Sequence, residues 1–128
     1  MIDQIGEKIK RPWGSYVVVH KGDGHWVKMI EVSRGKRTSL QQHRKRSEIW
    51  IILQGSFNIH YGKSKSDISI YRCNKNHTSP WVVRCGDVHR LEGLGSKNVL
   101  LEIALGRPDE NDIVRHEDDY GRVGKKQL

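Results

Sequence analysis

Residues 35–55 read Gly35-Lys36-Arg37-Thr38-Ser39-Leu40-Gln41-Gln42-His43-Arg44-Lys45-Arg46-Ser47-Glu48-Ile49-Trp50-Ile51-Ile52-Leu53-Gln54-Gly55. Successive side chains of an extended strand point to opposite faces. A strand over 37–43 therefore puts Gln41 and His43 on one face, and Lys45 joins them if the alternation continues. A turn over 44–47 then brings Glu48, at the start of a strand over 48–54, toward the same space. The continuously apolar run Trp50-Ile51-Ile52-Leu53 predicts a strand covered on both faces. The window thus reads as two strands meeting at a polar point.

Outward from this window the pattern repeats. Short β-rich runs at 15–20, 25–33, 57–61, 67–71, 81–84, 88–92 and 98–105 alternate with turn segments rich in Gly, Asn, Asp, Ser and Pro, such as Gly22-Asp23-Gly24, Gly86-Asp87 and 74–80. Those residues relieve the steric limits on tight reversals. Phe57-Asn58-Ile59-His60-Tyr61 alternates apolar and polar residues, as a strand with one wet face should. No long helical period precedes Pro108, and the acidic stretch 109–120 could hold one short helix. Eight or nine short strands predict one all-β domain over 1–128, a sandwich or barrel.

The chain has 128 residues, the length of one domain. Leu, Ile, Val and Phe make up a quarter of it, above the roughly 20 per cent below which a charged chain is expected to stay disordered. The net charge of +8 points to anionic partners: nucleic acid, an acidic membrane surface or phosphorylated small molecules. No apolar run reaches the roughly 20 residues of a membrane span, and residues 1–11 lack the apolar stretch of a secretory signal. Cys73 and Cys85, twelve apart, fit neither a disulfide scaffold nor a zinc knuckle. One bridge between them stays open, with reduced thiols favoured. A soluble, cytoplasmic protein is expected.

Gln41, His43, Glu48 and, from a second polar point at Gly86-Asp87-Val88-His89, His89 together offer an amide oxygen, two imidazoles and a carboxylate. This mixed nitrogen and oxygen set suits zinc, manganese, iron, cobalt or nickel and leaves positions open for a substrate. Without a thiolate it does not suit a closed structural zinc site. On spacing alone, the alternative of surface histidines and a solvated glutamine stands beside it.

The spacing Gly35-x5-Gln41-x-His43-x4-Glu48-x6-Gly55 resembles the first cupin motif, with Gln in place of its first His, and Gly86-x2-His89 resembles the core of the second. More specifically, Arg11-Pro12-Trp13-Gly14-Ser15-Tyr16, Val27-Lys28, Ser39-Leu40-Gln41-Gln42-His43, Arg46, Glu48, Trp50, His89-Arg90-Leu91 and the tail Asp112-Ile113-Val114-Arg115 with Tyr120-Gly121-Arg122 are similar to the cupin domain of type II mannose-6-phosphate isomerases, over about 11–122. That resemblance implies a double-stranded β-helix, a jelly-roll barrel, with one divalent metal held by Gln41, His43, Glu48 and His89. It also implies phosphate binding by Lys28, Arg90 and Arg115, and pairing of two copies through edge strands. The chain departs from the family pattern at Lys45 and Ile49, where His is usual, and at Arg84 and Gly93, where Pro and Asn are.

The implied reaction interconverts mannose 6-phosphate and fructose 6-phosphate through an enediol, which needs a base that moves a proton between C2 and C1. Glu102, if its strand turns it inward, and Lys45, if its pKa is depressed, are the candidates. A surface carboxylate on an alternating strand is the other reading of Glu102. Lys45 in place of His favours an alternative function, a cupin that binds a phosphosugar without turning it over. Nucleic-acid binding rests on charge alone, since no RNA-binding aromatic signature, zinc finger or recognition-helix pattern is present. No glycine-rich nucleotidyltransferase segment occurs in the 128 residues.

Overall fold

The computed structural model describes residues 4–76 and 80–125. Eleven strands are present among them: β1 (Lys8–Arg11), β2 (Gly14–Gly22), β3 (His25–Val32), β4 (Leu40–Gln42), β5 (Arg46–Gln54), β6 (Ser56–Gly62), β7 (Ile68–Asn74), β8 (Trp81–Val83), β9 (Val88–Gly93), β10 (Val99–Gly106) and β11 (Val114–Glu117). They form a six-stranded sheet in the order β1-β2-β3-β10-β5-β8 and a five-stranded sheet in the order β11-β4-β9-β6-β7. Every pair of neighbouring strands is antiparallel. The core lies between the sheets and includes Trp13, Tyr16, Ile30, Trp50, Phe57, Ile59, Leu91 and Leu100.

All nine expected strands form. β3, β5, β6 and β10 carry the two-residue alternation that one buried face demands, whereas β7 is exposed over 69–72 and β9 is buried over 88–91. Two more appear. The polar β1 forms by pairing with β2. The tail, expected to be helical over part of 109–120, instead contains β11, paired with β4, and no helix occurs among the described residues. Helix formation loses here to local polar contacts: Asn111 N donates to Asp109 Oδ1, and the Asp112 carboxylate accepts from Arg44 N and Lys45 N. Such short side chains offer the backbone partners other than helical ones. Of the expected loop at 74–80, residues 77–79 lie outside the described residues.

The run at 50–53 is not covered on both faces. Trp50 and Ile52 enter the core, whereas Ile51 is half-buried and Leu53 exposed, since no described element packs on the outside of the larger sheet. Register places Val27, Ile103, Ile49 and Val82 side by side on that outer face, and Val17, Met29, Leu101 and Ile51 in the next row. Cys73 is buried, Cys85 exposed, and both are free thiols.

One turn shows why glycine recurs between strands. Gly55, joining β5 to β6, has φ +75°, and a Cβ there would lie 2.1 Å from the Lys97 carbonyl oxygen.

Candidate metal centre and cavity

The single cross-strand partnership of β4 with β9 sets Gln41 opposite His89. His43 follows β4 directly, and Glu48 comes from β5 in the other sheet. His43, Glu48 and His89 are 3%, 1% and 3% exposed, and one donor atom from each lies within 4.8 Å of the others. His43 Nε2 is 3.2 Å from His89 Nε2 and 3.4 Å from Glu48 Oε2, while His89 Nε2 is 3.9 Å from Glu48 Oε1.

Proton positions follow from the partners. His43 Nδ1 lies 2.7 Å from the Asp112 carbonyl oxygen and His89 Nδ1 3.0 Å from that of Asp87. A carbonyl only accepts, so both Nδ1 atoms carry hydrogen and both Nε2 atoms present lone pairs. Burial lowers both imidazoles, His43 to about 3, so both are neutral near pH 7. Burial alone would raise the Glu48 carboxyl, but positive charge beside it, which the Arg46 guanidinium supplies while both imidazoles are neutral, outweighs burial and holds it below the usual carboxylate range. Two facing lone pairs and an anion repel one another unless positive charge stands between them. The donor set therefore fits a divalent cation, with each imidazole oriented through its other nitrogen. Arg46 supplies part of that charge now: its Nε donates to Glu48 Oε2 at 2.8 Å and its Nη2 to His43 Nε2 at 3.1 Å.

Such a constellation in a two-sheet barrel has relatives. The sequence pattern of the family described as "Mannose-6-phosphate isomerase C-terminal" matches residues 2–118. The chain belongs to this family. Within it, the domain is 36% identical over 118 residues to the xanthan biosynthesis protein XanB of Xanthomonas campestris pv. campestris, covering 91% of this chain and 24% of that one. It is 33% identical over 122 residues to the mannose-1-phosphate guanylyltransferase of Escherichia coli K12 (94% and 24%) and 34% over 123 to the alginate biosynthesis protein AlgA of Pseudomonas aeruginosa (94% and 24%). The chain thus spans about a quarter of the length of the curated relatives it matches. Among solved structures it superposes on the capsular polysaccharide assembling protein CapF of Staphylococcus aureus with TM-score 0.74 at 19% identity (87% of this chain, 31% of that one). It superposes on oxalate decarboxylase of Bacillus subtilis with TM-score 0.72 at 16% (86% and 30%). The architecture is that of a cupin, as the motif spacing implies.

In this cupin the trio opens on a cavity of about 90 Å³, lined also by Gln41, Lys28, Glu102 and Arg115. Gln41 sits beside the trio, its amide donating to the Ser39 carbonyl at 3.3 Å. Glu102 is not a surface carboxylate: it is 7% exposed and accepts a 3.0 Å hydrogen bond from Trp26 Nε1. Burial, and behind it repulsion from Glu48, push its carboxyl up to about 7.

Two expected site residues stand elsewhere. Lys45 is exposed and outside this cavity. The simple alternation fails because Asp112 binds the amides of Arg44 and Lys45 and turns the chain, so that Arg46 enters in its place. Arg90, flanked by the inward-facing His89 and Leu91, points to the other side of its sheet. There its Nε donates to the Thr38 carbonyl at 2.9 Å, and its Nη atoms donate to Glu117. It ties the tail to β9.

Sequence reasoning missed Arg46, Glu110, Arg122, Trp26 and Ser39 as participants, although Ser39, Arg46 and Arg122 stood within the matched segments. Ser39 Oγ, buried in the cavity wall, has no hydrogen-bond partner among the described residues. No pattern in the sequence marks Glu110, which comes from the irregular connection after β10.

Proposed function

We propose that this single cupin domain is a metal-dependent sugar-phosphate isomerase acting on mannose 6-phosphate and fructose 6-phosphate. The observation that carries the proposal is Glu102: a carboxyl poised near neutrality, in the same cavity as the His43, Glu48 and His89 trio and several buried cations.

His43, His89 and Glu48, with Gln41 beside them, would hold the ion. A divalent cation there, of the zinc, manganese, iron, cobalt or nickel kind, would polarise a sugar oxygen and stabilise charge developing on it. Glu102 acts as the base. Its carboxylate takes the proton from C2 as the C1 carbonyl electrons move onto O1, leaving an enediolate. The proton of the C2 hydroxyl passes to O1, and the resulting carboxylic acid returns its proton to C1 as the C2 carbonyl forms. A carboxyl that burial raises above the usual carboxylate range holds a proton more readily than a solvated one, which suits it to give back what it takes. Trp26 fixes its orientation. Lys28, Arg115 and Arg122, all lining the cavity, supply the fixed positive charge that a phosphate needs. Ser39 Oγ is placed to meet a sugar hydroxyl. The overall +8 charge would draw the anionic substrate in.

The test is direct. Protein supplied with divalent ions is mixed with mannose 6-phosphate and the formation of fructose 6-phosphate is followed. Turnover is expected, falling about 10²- to 10⁴-fold in Glu102→Gln while mannose 6-phosphate still binds. Binding without turnover by the unaltered protein, under every ion tried, would assign the alternative role of a phosphosugar-binding cupin.

We also propose that the chain works as a homodimer, through the outer face of the larger sheet and not through edge strands. The two apolar rows on that face support this, since they carry no charged residue in a chain of net charge +8.

A further inference from the structure

Lys28 is 5% exposed, and its ammonium lies 4.0 Å from the ring centroid of Trp26 and 4.3 Å from that of Tyr16. Aromatic faces attract a cation but do not replace its water as an anion does, and a buried charge needs a charged partner. That partner is Glu110, whose carboxylate is ion-paired with the Lys28 ammonium. Glu110 also lines the cavity, whose volume of about 90 Å³ is well below the roughly 300 Å³ at the lower end of small-molecule sites. On one side of Glu110, Arg46 Nη1 donates to the Asp109 carbonyl at 3.0 Å. On the other, Asp112 holds the amides of Arg44 and Lys45 at 2.9 Å each. Displacing Glu110 from Lys28 thus calls for its side chain to turn away from both Lys28 and Arg46, whose charge it also faces, whereas moving the backbone would disturb the carbonyl that orients His43.

We propose that Glu110 is a specificity-determining residue: its carboxylate holds Lys28 until an anionic group of the ligand replaces it, so the cavity admits phosphorylated sugars and rejects neutral ones. The inference rests on the reading of the cavity as an anion-binding site. A neutral sugar would break the pair and take from the ammonium its ion-paired carboxylate, leaving only the raised Glu102 carboxyl nearby. A phosphate dianion gives the ammonium a stronger partner than the carboxylate it displaces, and the departing side chain enlarges the space.

Titration calorimetry with inorganic phosphate, on the full chain, tests this with Glu110→Gln, Lys28→Met and the double variant. Gln keeps the shape and one acceptor oxygen. Glu110→Asp, one methylene short of Lys28, is a second variant expected to act alike. Phosphate should bind about tenfold more tightly to Glu110→Gln than to the unaltered protein. In the Lys28→Met background the same substitution should change affinity by less than about twofold. Unchanged or weaker binding by both Glu110 variants would overturn the inference, as would a tenfold gain that persists without Lys28. The titration reads binding alone, so a failure of isomerase activity is told apart from a failure here.

Discussion

Glu102 and His43 titrate in opposite senses, and the difference can be measured. The Glu102 carboxyl is raised from 4.5 to about 7 by burial and by Glu48. Between those values the folded protein binds more protons than the unfolded chain. The contribution of Glu102 to stability is therefore complete below pH 4.5 and lost as pH rises through 7. His43, lowered by burial from 6.5 to about 3, contributes fully above 6.5 and loses that contribution as pH falls toward 3. Glu102→Gln removes only the first trend and keeps an acceptor for Trp26. In metal-free protein its unfolding free energy, relative to the unaltered chain, should rise by about 3 kcal/mol between about pH 4.5 and about pH 8. Urea titrations across that range check it, and a difference flat in pH would mean that Glu102 ionises as a solvated carboxyl does. His89 carries the companion prediction. Zinc or manganese at about 100 times its dissociation constant should stabilise the protein by about 2.7 kcal/mol, and His89→Ala should abolish that gain in thermal melts. At this scale the sequence was legible where spacing and strand alternation coincide, at Gln41, His43, Glu48 and His89. It was not legible at Lys45, because the carboxylate that redirects the chain there belongs to Asp112, in a different part of the sequence.

Among the elements, the connection between β10 and β11 does more than close the barrel. Its Asp112 grips Arg44 N and Lys45 N with its carboxylate while its carbonyl fixes His43 Nδ1. One residue thereby sets both the turn after β4 and the tautomer of a candidate ligand. Groups that orient metal-binding histidines are worth about 10- to 100-fold in metal affinity. Asp112→Ala frees the two amides to water and loosens the carbonyl, and it should weaken metal binding by about that factor. Competition against a chromophoric chelator would measure this, with the circular dichroism spectrum unchanged. Affinity equal to that of the unaltered protein would reduce Asp112 to a loop residue. The same connection explains the failed helix. An acidic, polar stretch at 109–120 has no apolar period to declare a strand, and β11 forms because β4 offers it an edge. The polar β1 likewise forms against β2. Strands with a buried face announce themselves by alternation, whereas strands recruited by an edge depend on a partner distant in sequence.

At the scale of the molecule, the outer face of the larger sheet is left uncovered by the described residues. Across β3, β10, β5 and β8 the outward positions are Val27, Ile103, Ile49 and Val82, and beside them lie Val17, Met29, Leu101 and Ile51. At about 4.8 Å between strands, the patch is roughly 20 Å across. It supplies about half of the roughly 800 Å² that each partner buries in a stable complex. His20, His25, Ser47 and Glu31 stand at its rim to supply more. A second copy suits this face because a two-fold axis through it brings apolar row against apolar row and keeps the cations of both chains outside the contact. Repulsion between two copies of charge +8 is then a long-range term that salt screens, so dimerisation should strengthen as ionic strength rises. Light scattering should give a mass of about 30 kDa, twice the 14.8 kDa of the chain. Met29 and Val82 are 40% and 47% exposed, so Met29→Lys with Val82→Lys leaves the core intact while setting charge into the contact. The double variant should run as a monomer at any salt concentration and melt as a folded protein. If it stays dimeric, the copies meet elsewhere, and the free edges of β1, β7, β8 and β11 become the surfaces on which pairing has to be sought.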